Sequence, residues 1–163
     1  MYNGINVHPG GLGAGHVYIV NNTLINLNSG SAGVRIAARW TPPNLTKAFL
    51  SVTIKNNIFY NSLMTPATAL AETSSVSNNL FFNTARPISW YKGHLANDPA
   101  SKFANPLLRD IATFDVSLQA TSPAINAGVE IAPIDGVDFS LDKNGVARPQ
   151  GGAWDVGASE FRP

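Results

Sequence analysis

An asparagine pair recurs three times in this chain in one setting, and it restricts the possible folds more than any other feature. Ile19-Val20-Asn21-Asn22-Thr23-Leu24-Ile25-Asn26 is the first copy, Ile54-Lys55-Asn56-Asn57-Ile58-Phe59-Tyr60-Asn61 the second, and Val76-Ser77-Asn78-Asn79-Leu80-Phe81-Phe82-Asn83 the third. Each copy has an aliphatic residue, any residue, Asn-Asn, three mostly apolar residues and a further Asn. The apolar flanks read as short strands. The pair reads as the corner between them, because Asn tolerates left-handed backbone angles and its side chain bonds to nearby backbone. Corners repeated at a period of tens of residues are the mark of a solenoid.

The second and third pairs are 22 residues apart and the first two 35 apart, with a Pro42-Pro43 loop making up most of the excess. About 22 residues suit one coil of three short strands and three corners, each coil rising by about 4.8 Å. Stacked coils set Asn57 over Asn22 and Asn79 over Asn57, and asparagines so placed hydrogen-bond along a ladder. Ile19, Ile54 and Val76 form one interior stack; Leu24, Phe59 and Phe81 form a second. The expected fold is all-β, a short right-handed parallel β-helix of three to four coils with an irregular C-terminal cap. It is one domain over 1–163, with coils in 1–95 and the closing segment in 96–163.

Further along, Gly4 to Val7, Gly33 to Arg39 and Phe49 to Ile54 read as strands. Ile88 to Tyr91 reads as the last strand of the third coil, and Phe114 to Leu118 as another. Asp98-Pro99 has helix-start chemistry, and Ser122-Pro123 through Gly128 reads as one capped helical turn. Asn105-Pro106 and Asp110 suggest loops. The tail reads as turns ending in a short closing strand.

Composition removes several functions. Charged residues are 13% of the chain and the net charge is +1, without the basic excess of a nucleic-acid binder. There is no cysteine, so no disulfide framework and no thiolate metal site. No stretch is apolar enough and long enough for a membrane helix. The first residues lack the basic and apolar pattern of a signal peptide, and the compartment is not set by the sequence. Pro9-Gly10-Gly11-Leu12-Gly13-Ala14-Gly15 is a plain glycine loop, since no Lys-Ser/Thr follows.

The Asn-Asn coils resemble those of right-handed parallel β-helix proteins of the pectin-lyase-like superfamily. Leu118 with Ser122-Pro123-Ala124, then Asp142 through Arg148-Pro149, then Asp155-Val156-Gly157-Ala158-Ser159-Glu160 resemble the closing segment of many bacterial members. The resemblance implies the C-terminal end of such a helix, relatives that are usually exported, and a superfamily that includes polysaccharide lyases and glycoside hydrolases. Relatives carry more coils before this ending. The implied open N-terminal coil suggests a homo-oligomer, most simply a two-fold dimer with the open ends meeting.

Strand alternation sends Arg35 and Arg39 to one outer face, with Lys55 on an outer face and Glu72 near the arginines. Trp40 beside Arg39 forms an aromatic platform next to a cation, and Trp90-Tyr91 forms a second. Such pairs suit sugars, whose apolar ring faces stack on aromatics. All ten acidic residues except Glu72 lie from Asp98 onward, so the coils lack the carboxylate pair that glycosidases need. Asp135-Gly136-Val137-Asp138 and Asp142-Lys143-Asn144-Gly145 resemble calcium loops, but Ala153 stands where an EF-hand needs Glu, and turn formation is the simpler reading. No cofactor is required, calcium being the alternative. His8, His16 and His94 are too scattered for zinc. Arg148 is expected to pair in the closing turns, and Trp154 to be structural. The sequence therefore points to a polysaccharide-interacting module without its own catalysis. The alternatives are a lyase or hydrolase of acidic polysaccharides and a structural oligomerisation module.

Overall fold

The computed structural model describes residues 5–7, 16–27, 34–36, 51–62, 64–65, 75–84 and 100–163. Every regular element among them is a strand, so the class is all-β. No helix there is long and apolar enough to cross a membrane. In chain order come β1 (Ile5–Val7), β2 (His16–Val20), β3 (Thr23–Ile25), β4 (Val34–Ile36), β5 (Ser51–Lys55) and β6 (Ile58–Tyr60). They are followed by β7 (Met64–Thr65), β8 (Ser75–Ser77), β9 (Leu80–Phe82) and β10 (Lys102–Phe103). These make three parallel sheets, ordered β1–β4–β7, β2–β5–β8 and β3–β6–β9–β10. The chain enters the three sheets in the same order three times. No hairpin joins these strands, because parallel neighbours require long connections.

The registers align the repeats residue for residue. Ile19 pairs with Ile54 and Ile54 with Val76; Leu24 pairs with Phe59 and Phe59 with Phe81. Ile54, Phe59 and Phe81 are fully buried, whereas Val76 and Leu24 are half-buried. The aromatic stack continues one step beyond the third repeat. The Phe59 and Phe81 rings lie 5.0 Å apart and nearly parallel, and Phe103 follows at 5.3 Å.

Within each pair the two asparagines divide the work. Asn21, Asn56 and Asn78 take φ of 57°, 56° and 54°, the left-handed region that Asn enters with least strain. Asn26, Asn61 and Asn83 turn the chain again, at 59°, 45° and 48°. The second member of each pair forms the ladder. Asn22 donates from N and Nδ2 to Asn57 Oδ1, both at 3.0 Å. Asn57 donates in the same way to Asn79 Oδ1, both at 3.0 Å. The backbone N of Asn79 donates to Ser101 Oγ at 2.9 Å.

Two kinds of strand result. In β5, Val52 and Ile54 are fully buried while Ser51, Thr53 and Lys55 are half-buried, so one face is covered. In β6 the adjacent Ile58 and Phe59 are both fully buried, so both faces are covered. Phe59 faces the aromatic stack. Ile58 and Leu80 pack with Leu108, Leu118, Ala124 and Val156 of the closing segment.

The closing segment begins with an antiparallel hairpin, β11 (Leu108–Asp110) with β12 (Asp115–Leu118). Turns follow. The segment runs along the flank of the β3–β6–β9–β10 sheet, where an end cap was expected. Ala158 N donates to Thr23 Oγ1 at 3.0 Å and Gly157 N to Asn56 O at 2.8 Å. Asn56 and Val129 exchange two bonds, Asn78 Nδ2 donates to Ala127 O, and Lys102 Nζ to Pro123 O. Every repeat is thus tied to the tail.

Three local expectations change. Ser122 to Gly128 is a run of i→i+3 turns, with no helix, because Asn126 at φ 53° breaks the progression. Asp110, expected in a loop, ends β11. The expected closing strand is absent; Asp155 to Glu160 form bends, with backbone donors taken by side chains and by the flank. Asp98-Pro99 and Ile88 to Tyr91 lie outside the described residues.

Candidate functional site

Alternation along β2 and β5 makes the outer face of the β2–β5–β8 sheet mostly polar. With Ile19, Val52 and Ile54 turned inward, the outward positions are His16, Tyr18, Val20, Ser51, Thr53, Lys55, Ser75 and Ser77. The parallel register sets them in rows across the strands. Tyr18, Thr53 and Ser75 form one row, Val20, Lys55 and Ser77 the next, and His16 pairs with Ser51. His16 Nδ1 and Ser51 Oγ are hydrogen-bonded at 2.6 Å. The Tyr18 ring lies 6.4 Å from that of His16 and is tilted by 30° to it. Tyr18 is 42% exposed, a large aromatic open to solvent on a sheet face of hydroxyls and one ammonium. Such a face offers an apolar ring for stacking with donors and acceptors beside it.

The ligand-binding residues read from the sequence fall elsewhere. Arg35 lies in β4, in register with Asn6 and Thr65, and its side chain is outside the described part of the structure. Arg39, Trp40, Glu72, Trp90 and Tyr91 lie outside the described residues, as do His8 and His94. Sequence reasoning missed His16 and Tyr18 as surface aromatics, although the alternation in Ser51-Val52-Thr53-Ile54-Lys55 already marked that face. It also missed Ser101 as the fourth rung. The signal was there: Ser101 and Phe103 each fall 22 residues after Asn79 and Phe81, repeating the preceding interval.

A second concentration of charge lies in the closing segment. Arg148 Nη1 donates to Glu160 Oε2 at 2.9 Å, with both side chains almost wholly buried. The same guanidinium donates to the carbonyls of Asp155 and Gly157 and lies 5.7 Å from the Trp154 ring centre. Arg148 therefore pairs in the closing turns and Trp154 is structural, both as expected. Asp155 accepts from the backbone N of Asn126 and Phe161, and Glu160 accepts from those of Gln150 and Asp155. Burial pushes the carboxyls of Asp155 and Glu160 above their ordinary values, against those hydrogen bonds and Arg148. For Asp142 burial acts in the same sense but loses. Backbone donors from Glu160, Val146 and Asn144, with the Arg148 charge, hold its carboxyl below the ordinary value. A raised carboxyl pKa is a property of general acids. Here, however, each carboxylate is engaged by backbone amides, so the group holds the turns together.

The stretch from Asp142 to Gly145 is a side-chain-closed turn, with Gly145 at φ 76°. Both Asp142 oxygens are taken by the three amides named above, which leaves them poorly placed for a cation. Among the described residues no three His, Asp or Glu side chains gather as a metal ion requires.

No protein-family model matches this chain, and no curated protein matches it.

Proposed function

We propose that the chain is part of a right-handed parallel β-helix that engages a polysaccharide through the outer face of the β2–β5–β8 sheet. The rotation of the chain through three parallel sheets and the in-register asparagine ladder support the helical winding. The observation that carries the binding role is Tyr18, exposed beside His16 over rows of hydroxyls and Lys55. Sugar rings present apolar faces to aromatics and hydroxyls to polar neighbours, so this face meets both needs. Binding without catalysis fits the placement of the carboxylates. Among the described residues none lies on this face, and hydrolysis of a glycosidic bond needs two carboxyls about 5–9.5 Å apart. A panel of immobilised polysaccharides tests the reading. One or more should bind, and Tyr18→Ala should weaken binding about tenfold while leaving the circular dichroism unchanged; equal binding by this variant refutes it. Release of unsaturated uronates, followed by ultraviolet absorbance, would instead establish the lyase alternative.

The open strand edge favours a second reading, assembly. Among the described residues β2 and β3 are hydrogen-bonded on one side only, and Asn22 Oδ1, unlike Asn57 Oδ1 and Asn79 Oδ1, accepts no bond. Asn21 and Asn26 instead accept from Asn56 Nδ2 and Asn61 Nδ2, so this end offers both donors and acceptors. Two copies meeting at this end can therefore pair donors with acceptors, as two-fold association requires. Light scattering over a concentration series measures it; a monomer at every concentration removes the assembly reading.

A further inference from the structure

A recess of about 410 Å³ opens between the β11–β12 hairpin and the last turns of the chain, away from the β2–β5–β8 sheet. Arg109, Arg162 and Asn144 line it, and Leu118 and Phe161 supply hydrophobic surface. Its balance of donors and acceptors is uneven. The carboxylate in the lining, Glu160, spends its two oxygens on Arg148 and on the backbone N of Gln150 and Asp155. Asp142 and Asp155, nearby, are likewise spent on backbone amides. The guanidinium groups are not so engaged. Arg109 has one ionic neighbour, the exposed Asp115 at 3.8 Å, a distance and setting that bind weakly. Arg162, also in the lining, is exposed. Lys143, adjacent to the lining residue Asn144, donates to its Oδ1 at 3.1 Å.

We propose that this recess binds a small organic carboxylate with an apolar body. Planar guanidinium forks match the two oxygens of a carboxylate, and bonds between two charged partners are the strong ones. Leu118 and Phe161 give the body of the ligand an apolar surface to cover, as small-molecule sites usually do. The volume lies within the ordinary range for such sites and exceeds what a bare inorganic anion fills. The occupant thus differs in chemistry and in place from a polysaccharide laid on the sheet face.

Calorimetric titration of the full chain with benzoate, benzamide and inorganic phosphate is the test. Benzoate should bind saturably, benzamide should not, and phosphate should bind more weakly than benzoate. Arg109→Gln and Arg162→Gln should each weaken benzoate about tenfold, the scale of one charge-assisted bond. Both side chains are exposed, so the variants should keep the wild-type circular dichroism and the wild-type polysaccharide binding. Benzamide binding equal to benzoate, phosphate binding equal to benzoate, or benzoate affinity unmoved by both substitutions would each overturn the proposal.

Discussion

Asn57 shows how much one side chain can carry in a repeat of this kind. It accepts two bonds from Asn22, donates to Asn79, and reaches the carbonyls of Ile19 and Lys55, all without solvent contact. Its removal strands several buried polar groups at about 1–3 kcal/mol each, so Asn57→Ala should destabilise the fold by about 3 kcal/mol or more. Asn22, half-buried at the end of the ladder, accepts no side-chain bond among the described residues, and Asn22→Ala should cost about 1 kcal/mol. Urea denaturation of both variants checks the order. Asp142 carries the pH dependence of the closing turns. Its carboxyl lies below the ordinary value when folded, so its stabilisation is present above the unfolded value of about 3.9 and is lost as pH falls through the folded one. Asp155 and Glu160 act in the opposite sense. Their raised values make their contribution complete below the unfolded values and diminishing as pH rises through the folded ones. Comparing Asp142→Asn with the wild type isolates the first effect. The difference in Tm should be largest near about pH 6 and should shrink toward about pH 3; a constant difference would assign the stabilisation to geometry alone.

At the level of elements, the instructive contrast is between β5 and β6. Ser51-Val52-Thr53-Ile54-Lys55 alternates and has one buried face, as its sequence implies. Ile58-Phe59-Tyr60 does not alternate, and its two faces meet different partners: the aromatic stack on one side, the closing segment on the other. The join between β6 and the tail is tightest at Gly157. It has φ +105°, and a Cβ there would lie 2.7 Å from Ile58 Cδ1 and 2.9 Å from Thr23 Oγ1. Gly157→Ala should therefore cost about 3 kcal/mol, combining backbone strain with a steric clash. Gly152 has open space at its Cβ position, so Gly152→Ala should change stability by less than about 0.5 kcal/mol. Thermal melts of this pair separate a packed flank from one that merely lies alongside.

For the molecule as a whole, the closing segment and the parallel sheets form one cooperative unit. Without residues 120–163, Ile58 and Leu80 would lose Ala124 and Val156, and Asn56 and Asn78 would lose the partners Val129 and Ala127. A chain ending at Gln119 should lack a cooperative melting transition and aggregate, because it exposes apolar surface and unpaired polar groups together. Size-exclusion chromatography and circular dichroism of that truncation check it; a monomer with native melting would make the tail dispensable. Much of this organisation was legible beforehand. The Asn pairs located the corners, and their spacing aligned Ile19 with Ile54 and Phe59 with Phe81. The route of the tail was not legible, since its turns are held by contacts spanning up to 135 residues, as between Ala158 and Thr23. The face around Tyr18 escaped notice because an aromatic in a short strand fits core and surface equally well until its neighbours' register is known.

The sequence alone determined the local conformations and their periodicity. Asn entered the left-handed region at each corner because few other residues do so at low cost, and short apolar runs could only be strands. Tertiary structure alone decided what covered the second face of β6, that Ser101 took the fourth rung, and which side chains remained in water. These outcomes depend on pairing between segments far apart in the chain, where burial and hydrogen-bond satisfaction, and no local preference, choose among otherwise equivalent arrangements.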